Sequence, residues 1–345
     1  MKKHILILSF FICFALSLSS KERVLLVGIG DYPPVSGWQI ISSKNDVELL
    51  KGVLPKEAII TTLVNQAATH EGIIQAIGNL IDASQPGDTV LIHFSCHGQQ
   101  MLMEGMNDEP DYLDESLVPY DAFMKKSSNY HGENHLKDDE LGEYLTNLRK
   151  KVGSSGLVIV TLDACYSDSM NRDAKNDSQT KYRGGADIFG ANSITKEELE
   201  EIVRNRKTSD SLEIEKFEDA ADIVMLSACK SYQRNMETVQ GGTGYGSLSY
   251  AMYIGFNTYP LNRGDIKAWL DCVLKEMNNL AFTQTPQVRS TLPIELPPVT
   301  PPSSQSSPSP TFNTLVGIII AVIVLVIVVS FLLWKMSTRK SHRKR

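Results

Sequence analysis

Cysteine is scarce: the 345-residue chain has five, at positions 13, 96, 165, 229 and 272, with no C-x-x-C pair. That spacing excludes a zinc-ribbon or finger site and gives little for a disulfide framework, which a domain of this size does not need. Strong charge is missing too. The formal net charge is −6, and no basic stripe is interleaved with aromatics, so nucleic-acid binding is excluded as a function class. No internal repeat is visible, and no organic cofactor is implied. Long apolar runs occur only at the two ends of the chain.

Residues 1–20 begin Met-Lys-Lys-His, continue as ILILSFFICFALSLS and stop at Ser20 before Lys21-Glu22. A basic start, a short apolar run and small residues before the first charge predict a secretory signal peptide, which would carry Cys13 away. Residues 314–334 read TLVGIIIAVIVLVIVVSFLLW without a charge. As a helix this run reaches about 31 Å, enough to cross a hydrocarbon core. The basic tail 335–345 follows at once. The positive-inside rule places such a tail in the cytoplasm, so the sequence predicts a single-pass membrane protein anchored in lipid by one transmembrane helix. Its large domain would then be lumenal or extracellular. Residues 286–313 are rich in Pro and Ser and predict an extended stalk. Residues 21–285 remain for one folded domain.

Within that domain, short β-branched runs at 23–29, 58–64, 88–95, 156–163 and 222–228 predict strands buried on both faces. Helical periodicity lies at 45–53, 70–83, 138–152, 195–206, 243–256 and 265–280. This alternation predicts an α/β fold, a mostly parallel sheet with helices on both faces. The polar segment 171–219 interrupts it, and so long a connection points to function.

In such sheets the working residues sit beyond the carboxyl ends of strands. One predicted strand ends at Ser95-Cys96-His97-Gly98 and another at Asp163-Ala164-Cys165-Tyr166. A thiol nucleophile needs an imidazole to take its proton and N–H donors for the oxyanion. His97 and Cys165 supply the pair if their strands are neighbours. The N–H groups of Gly98 and Cys165 are the candidate oxyanion donors. Gly98 can approach a substrate closely because it has no side chain.

The segment HFSCHGQQ, at 93–100, resembles the Ser-Gly-His-Gly motif of metacaspases, and LDACYS, at 162–167, resembles their Asp-x-Cys-His-Ser-Gly motif. DESLVPYD (114–121), SACKSYQ (227–233) and GYGSLS (244–249) are similar to later family segments, in family order. Cys96, Tyr166 and Asp168 depart from the pattern. Cys96 also places a second thiol beside His97, a possible oxidation site. The resemblance implies a caspase-like fold and a cysteine endopeptidase acting on polypeptides.

The resemblance further implies cleavage after Arg or Lys through an acidic pocket at Asp46, Asp163 and Ser95, with Ser43 where the family often has Cys. Carboxylates at strand ends suit a guanidinium or ammonium on charge grounds as well. Calcium activation is implied through Asp114, Asp138 and Asp139, with a fourth ligand near Arg172 for which Asp173 is the acidic candidate. Asp138 and Asp139 also open a predicted helix, where acidic residues are favoured in any case. Two other readings share the predicted topology: a subunit like the catalytic one of GPI transamidase, and a non-enzymatic ectodomain for binding or signalling. Self-cleavage is expected within 171–219, after Arg183, Arg206 or Lys207, since basic residues there lie on a segment open to proteolysis.

Overall fold

Aliphatic runs form the strands β1 (Glu22–Gly28), β2 (Ile59–Val64), β3 (Thr89–Ser95), β7 (Leu157–Asp163) and β8 (Asp222–Ser227), and shorter, more polar segments form β4 (Gly98–Leu102), β5 (Leu113–Leu117), β6 (Leu136–Lys137), β9 (Glu237–Gln240), β10 (Thr243–Gly246) and β11 (Gln287–Ser290). The helices are α1 (Ser43–Val53), α2 (His70–Ala83), α3 (Asp138–Val152), α4 (Lys196–Asn205), α5 (Ser247–Thr258) and α6 (Ile266–Leu280). The computed structural model describes residues 20–102, 113–166, 181–184, 187–205, 214–231, 233–281 and 283–295, all within the unit Met1–Val299.

The main sheet has the order β11-β8-β7-β3-β1-β2. The pairs β1–β2, β1–β3, β3–β7 and β7–β8 are parallel, and β11 closes one edge antiparallel to β8. Every residue of β7 is buried, and so are all but the first of β1 and β3. This is why these strands read as unbroken apolar runs rather than as alternating ones. Ile73 and Ile77 of α2 and Leu141, Leu145 and Leu148 of α3 pack on one face. Val47 and Leu50 of α1, Met252 of α5 and Trp269 of α6 pack on the other. Burying such side chains stabilises each layer by about 1.5–3 kcal/mol per residue.

Two local expectations change. Residues 243–256 are predicted helical, but Thr243–Gly246 pairs as β10 with β9 and α5 begins at Ser247. Gly241 and Gly242 have φ of 58° and 82°, the left-handed pair that a two-residue hairpin turn demands. Gln287–Ser290 falls in the predicted stalk, yet it hydrogen-bonds to β8 as β11.

The membrane expectation is corrected. Among the described residues no helix is long and apolar enough to cross a membrane. The longest helices among the described residues, α3 and α6, have 15 residues each. That length spans about 22 Å, against a hydrocarbon core of about 30 Å. The first turn of α3 holds Asp138, Asp139 and Glu140, and its last turn Arg149, Lys150 and Lys151, the charge order that the helix dipole favours. The single-pass topology, the lipid partner and the lumenal or extracellular placement are withdrawn on this finding. Residues 314–334, the tail 335–345 and residues 1–19 of the predicted signal lie outside the described residues.

Candidate active site

The neighbouring strands β3 and β7 run parallel with Ser95 opposite Asp163. His97 and Cys165 each lie two residues beyond that pair, so both emerge at the carboxyl edge of the sheet. A Cβ on Gly98 would lie 2.8 Å from the Cys165 carbonyl oxygen, so the chain after His97 passes hard against the thiol-bearing residue. Only glycine fits there.

His97 is buried, and its Nε2 lies 2.8 Å from the Gln39 carbonyl oxygen. A carbonyl only accepts, so Nε2 carries the proton and Nδ1 keeps its lone pair. Among the described residues that buried Nδ1 has no hydrogen-bond partner. Trp38 stacks on the imidazole at 5.0 Å, and Tyr32 packs at 5.2 Å. The Tyr32 hydroxyl accepts the His97 backbone N–H at 3.2 Å and donates to the Val118 carbonyl at 2.8 Å. Burial pushes the His97 pKa down to about 4, so the ring is a neutral base at neutral pH. Tyr32, Trp38 and Gln39 escape sequence reasoning because they come from an irregular loop with no motif.

Cys165 is 1% exposed. Its Sγ donates to the Gln233 carbonyl oxygen at 2.7 Å. Its backbone N–H donates to the Arg183 carbonyl oxygen, also at 2.7 Å. A Cβ on Gly184 would sit 3.1 Å from Sγ and 2.6 Å from the Cys165 carbonyl oxygen. The Arg183–Gly184 peptide therefore lies against the thiol. The segment bearing it pairs like an added strand: Arg183 N–H donates to the Asn235 carbonyl oxygen at 3.0 Å, and Glu237 N–H to that of Lys181 at 3.0 Å. This is the geometry of an extended peptide laid on a sheet edge.

The Arg183 side chain is 0% exposed. Its Nη2 donates to Asp46 at 2.7 Å and to Glu237 at 3.0 Å, and its Nη1 donates to the Ser95 hydroxyl at 2.6 Å. Asp163 Oδ1 lies 3.7 Å from Nη1. Second partners hold each acid in place. Asp46 accepts from the Ser95 hydroxyl at 2.7 Å and the Gly246 N–H at 2.9 Å. Asp163 accepts from the Ser249 N–H and hydroxyl, at 2.7 and 2.6 Å, and from Asn235 at 2.8 Å. Glu237 is tied to Ser42 N–H and hydroxyl at 2.6 and 2.8 Å. Any side chain on Gly246 would strike the Asp163 carboxylate and come within 2.6 Å of the Arg183 guanidinium.

Three carboxylates thus face one guanidinium. At Asp163 burial raises the pKa, but Arg183, Ser249 and Asn235 together outweigh it and hold the group below the usual carboxylate range. At Asp46 burial prevails over Arg183, and the second carboxylate nearby adds to it, giving a pKa of about 6. Of the four sequence-predicted pocket residues, Asp46, Asp163 and Ser95 meet at the guanidinium. Ser43 does not: it is buried at the start of α1, and its hydroxyl has no partner among the described residues. Asn235 and Glu237 were not predicted, being polar residues of a loop and a short hairpin that no spacing rule singles out.

The sequence-predicted calcium ligands do not assemble into a cation site from the described residues. Asp114 is engaged by the Lys137 ammonium at 2.7 Å. Asp138 accepts the Asp139 N–H at 3.1 Å at the opening of α3, and Asp173 lies outside the described residues. Among the described residues no group of three His, Cys, Asp or Glu could hold a metal ion.

The caspase-domain profile of the peptidase C14 family matches residues 21–296. Metacaspase-1 of Mycosarcoma maydis is 26% identical over 312 residues, which cover 81% of this chain and 73% of that protein. Metacaspase-1 of Debaryomyces hansenii is 24% identical over 274 residues, covering 70% and 59%. The chain therefore spans only part of the length of these relatives. A Geobacter sulfurreducens protein of known crystal structure superposes with a TM-score of 0.52 at 22% identity, covering 80% of this chain and 95% of that one; this supports the fold. With a profile match over most of its length, the chain belongs to the caspase-domain family of peptidases and is a metacaspase-like cysteine-type endopeptidase.

Proposed function

We propose that the protein hydrolyses polypeptides after Arg, and more weakly after Lys, with Cys165 as nucleophile and His97 as the acid–base group, and that its own Arg183–Gly184 bond is a substrate. One observation carries this reading. The Arg183 guanidinium fills an acidic pocket while the carbonyl oxygen of the same residue accepts the Cys165 N–H at 2.7 Å.

The lone pair on His97 Nδ1 takes the thiol proton, and the thiolate attacks the carbonyl carbon of the bound Arg. Negative charge on the carbonyl oxygen is held by the Cys165 N–H, with the Gly98 N–H as second donor. His97 then returns the proton to the leaving amine, and water hydrolyses the thioester. Arg is favoured over Lys because a planar guanidinium donates at once to Asp46, Glu237 and Ser95, a fork an ammonium cannot match. While Arg183 fills the pocket, other substrates are shut out, so cleavage there would also open the site.

Incubating the wild type beside Cys165→Ala and sequencing new N-termini tests this. A fragment beginning at Gly184, formed by the wild type alone, is the expected result. A fully active wild type that remains uncut at Arg183 contradicts the self-cleavage. Calcium activation, expected from the resemblance, would require the Lys137 ion pair at Asp114 to open before Asp114, Asp138, Asp139 and Asp173 could gather round a cation. Loss of activity on chelation and its return with added calcium is the corresponding test.

A further inference from the structure

We infer that the peptidase also reads the residue before the cleaved Arg, and that Arg234 makes that position select an aromatic side chain. This rests on taking the segment at 181–184 as bound in the manner of a substrate. Successive side chains of an extended strand point to opposite sides. Arg183 turns into the acidic pocket, so Tyr182 turns the other way, and there its ring lies under the Arg234 guanidinium, 4.8 Å from carbon to ring centroid.

Arg234 is well placed to act as a fixed platform. It directly precedes Asn235, whose carbonyl oxygen accepts the Arg183 N–H and whose side chain holds Asp163 at 2.8 Å. Tyr182 itself is bridged to Met236 in the same pairing. The strand that reads the substrate backbone therefore also carries the cation. Tyr182 and Arg234 are both half-buried, whereas Lys181 is exposed. Selection is expected at the position of Tyr182 and not at that of Lys181. A guanidinium over an aromatic face at such a site is worth about a two- to five-fold preference. Tyr or Phe should serve, because it is the ring face that the cation meets.

The test uses the full chain and three reporter peptides that differ only in the residue before Arg: Tyr, Ala or Glu. kcat/KM is measured for the wild type, Arg234→Ala and Arg234→Lys. In the wild type the Tyr-Arg peptide should exceed the Ala-Arg peptide by about two- to five-fold. The ratio should fall to near one in Arg234→Ala and lie between in Arg234→Lys, which keeps the charge but not the plane. A wild-type ratio of one, or a preference that survives Arg234→Ala, overturns the inference. So does a Glu-Arg peptide cleaved faster than Tyr-Arg, which would make Arg234 an ion-pair partner. Equal cleavage of all three leaves the Arg preference standing and removes only the aromatic one. Failure to cleave any of them overturns both. Should Arg234→Ala fail to fold, the wild-type ratio and Arg234→Lys still decide.

Discussion

Replacing Cys165 with Ala should lower the hydrolysis of an Arg reporter by at least about 10⁴-fold. Two other thiols lie near: Cys96 is buried beside His97 with its pKa pushed by burial up to about 12, which leaves it protonated, and Cys229 is buried with its Sγ 3.4 Å from the same Gln233 carbonyl oxygen. The substitution removes one sulfur and its bond to the Gln233 carbonyl oxygen. The strands on either side are held by register, so folding should survive and the melting temperature should move little. In Cys165→Ala the chain should also stay intact at Arg183. Turnover retained at even a few per cent would place the nucleophile elsewhere.

The second large effect concerns the pocket. Asp163→Asn keeps the size of the side chain but removes a carboxylate buried beside the guanidinium and tied to Ser249 and Asn235. Breaking a buried ionic contact from one side costs about 3–5 kcal/mol. The expected loss in kcat/KM for Arg peptides is about 10²- to 10⁴-fold, with the variant still folded by thermal melting. The same pocket sets a pH dependence. Asp46 binds the guanidinium as a carboxylate, and its pKa is about 6 with Arg183 in place. An empty pocket lacks that cation and holds the proton more tightly. KM for Arg peptides should therefore rise as the pH falls from 7.5 towards 5.5, a trend that Asp46→Asn should abolish. A KM flat over that range in the wild type contradicts this role for Asp46.

The central strands could be read from the sequence because β1, β3 and β7 are buried on both faces, which leaves apolar runs bounded by turns. The edge elements could not. β11 is only half-buried along its length and sits next to a proline-rich stretch, so composition pointed to a stalk. The β9–β10 hairpin did carry a signal, the Gly241-Gly242 pair, but helical periodicity beyond it masked the turn. Hydropathy alone suggested a membrane span, whereas the helices that the structure describes are too short and too polar for one.

The site divides in the same way. His97, Cys165, Asp163 and Ser95 announce themselves because they follow apolar strands directly. Glu237 reaches the pocket from 195 residues away from its partner Ser42, and Tyr32, Trp38 and Gln39 frame the imidazole from a loop. Such contacts depend on how the loops close, which local pattern does not encode. Arg183 is the instructive case. Its sequence setting suggests an exposed cation in a polar segment, while the fold buries it completely, because three carboxylates and Ser95 take the place of water around its two Nη groups.

The most direct measurement of the central claim is the identity of the residue at each cut. A complex mixture of unrelated peptides is incubated with the wild type and with Cys165→Ala, and the new C-termini are read by mass spectrometry. The account expects Arg, with a minority of Lys, at nearly every new terminus, and no new termini from Cys165→Ala. Cuts after Asp or after apolar residues, or termini generated equally by Cys165→Ala, would contradict it.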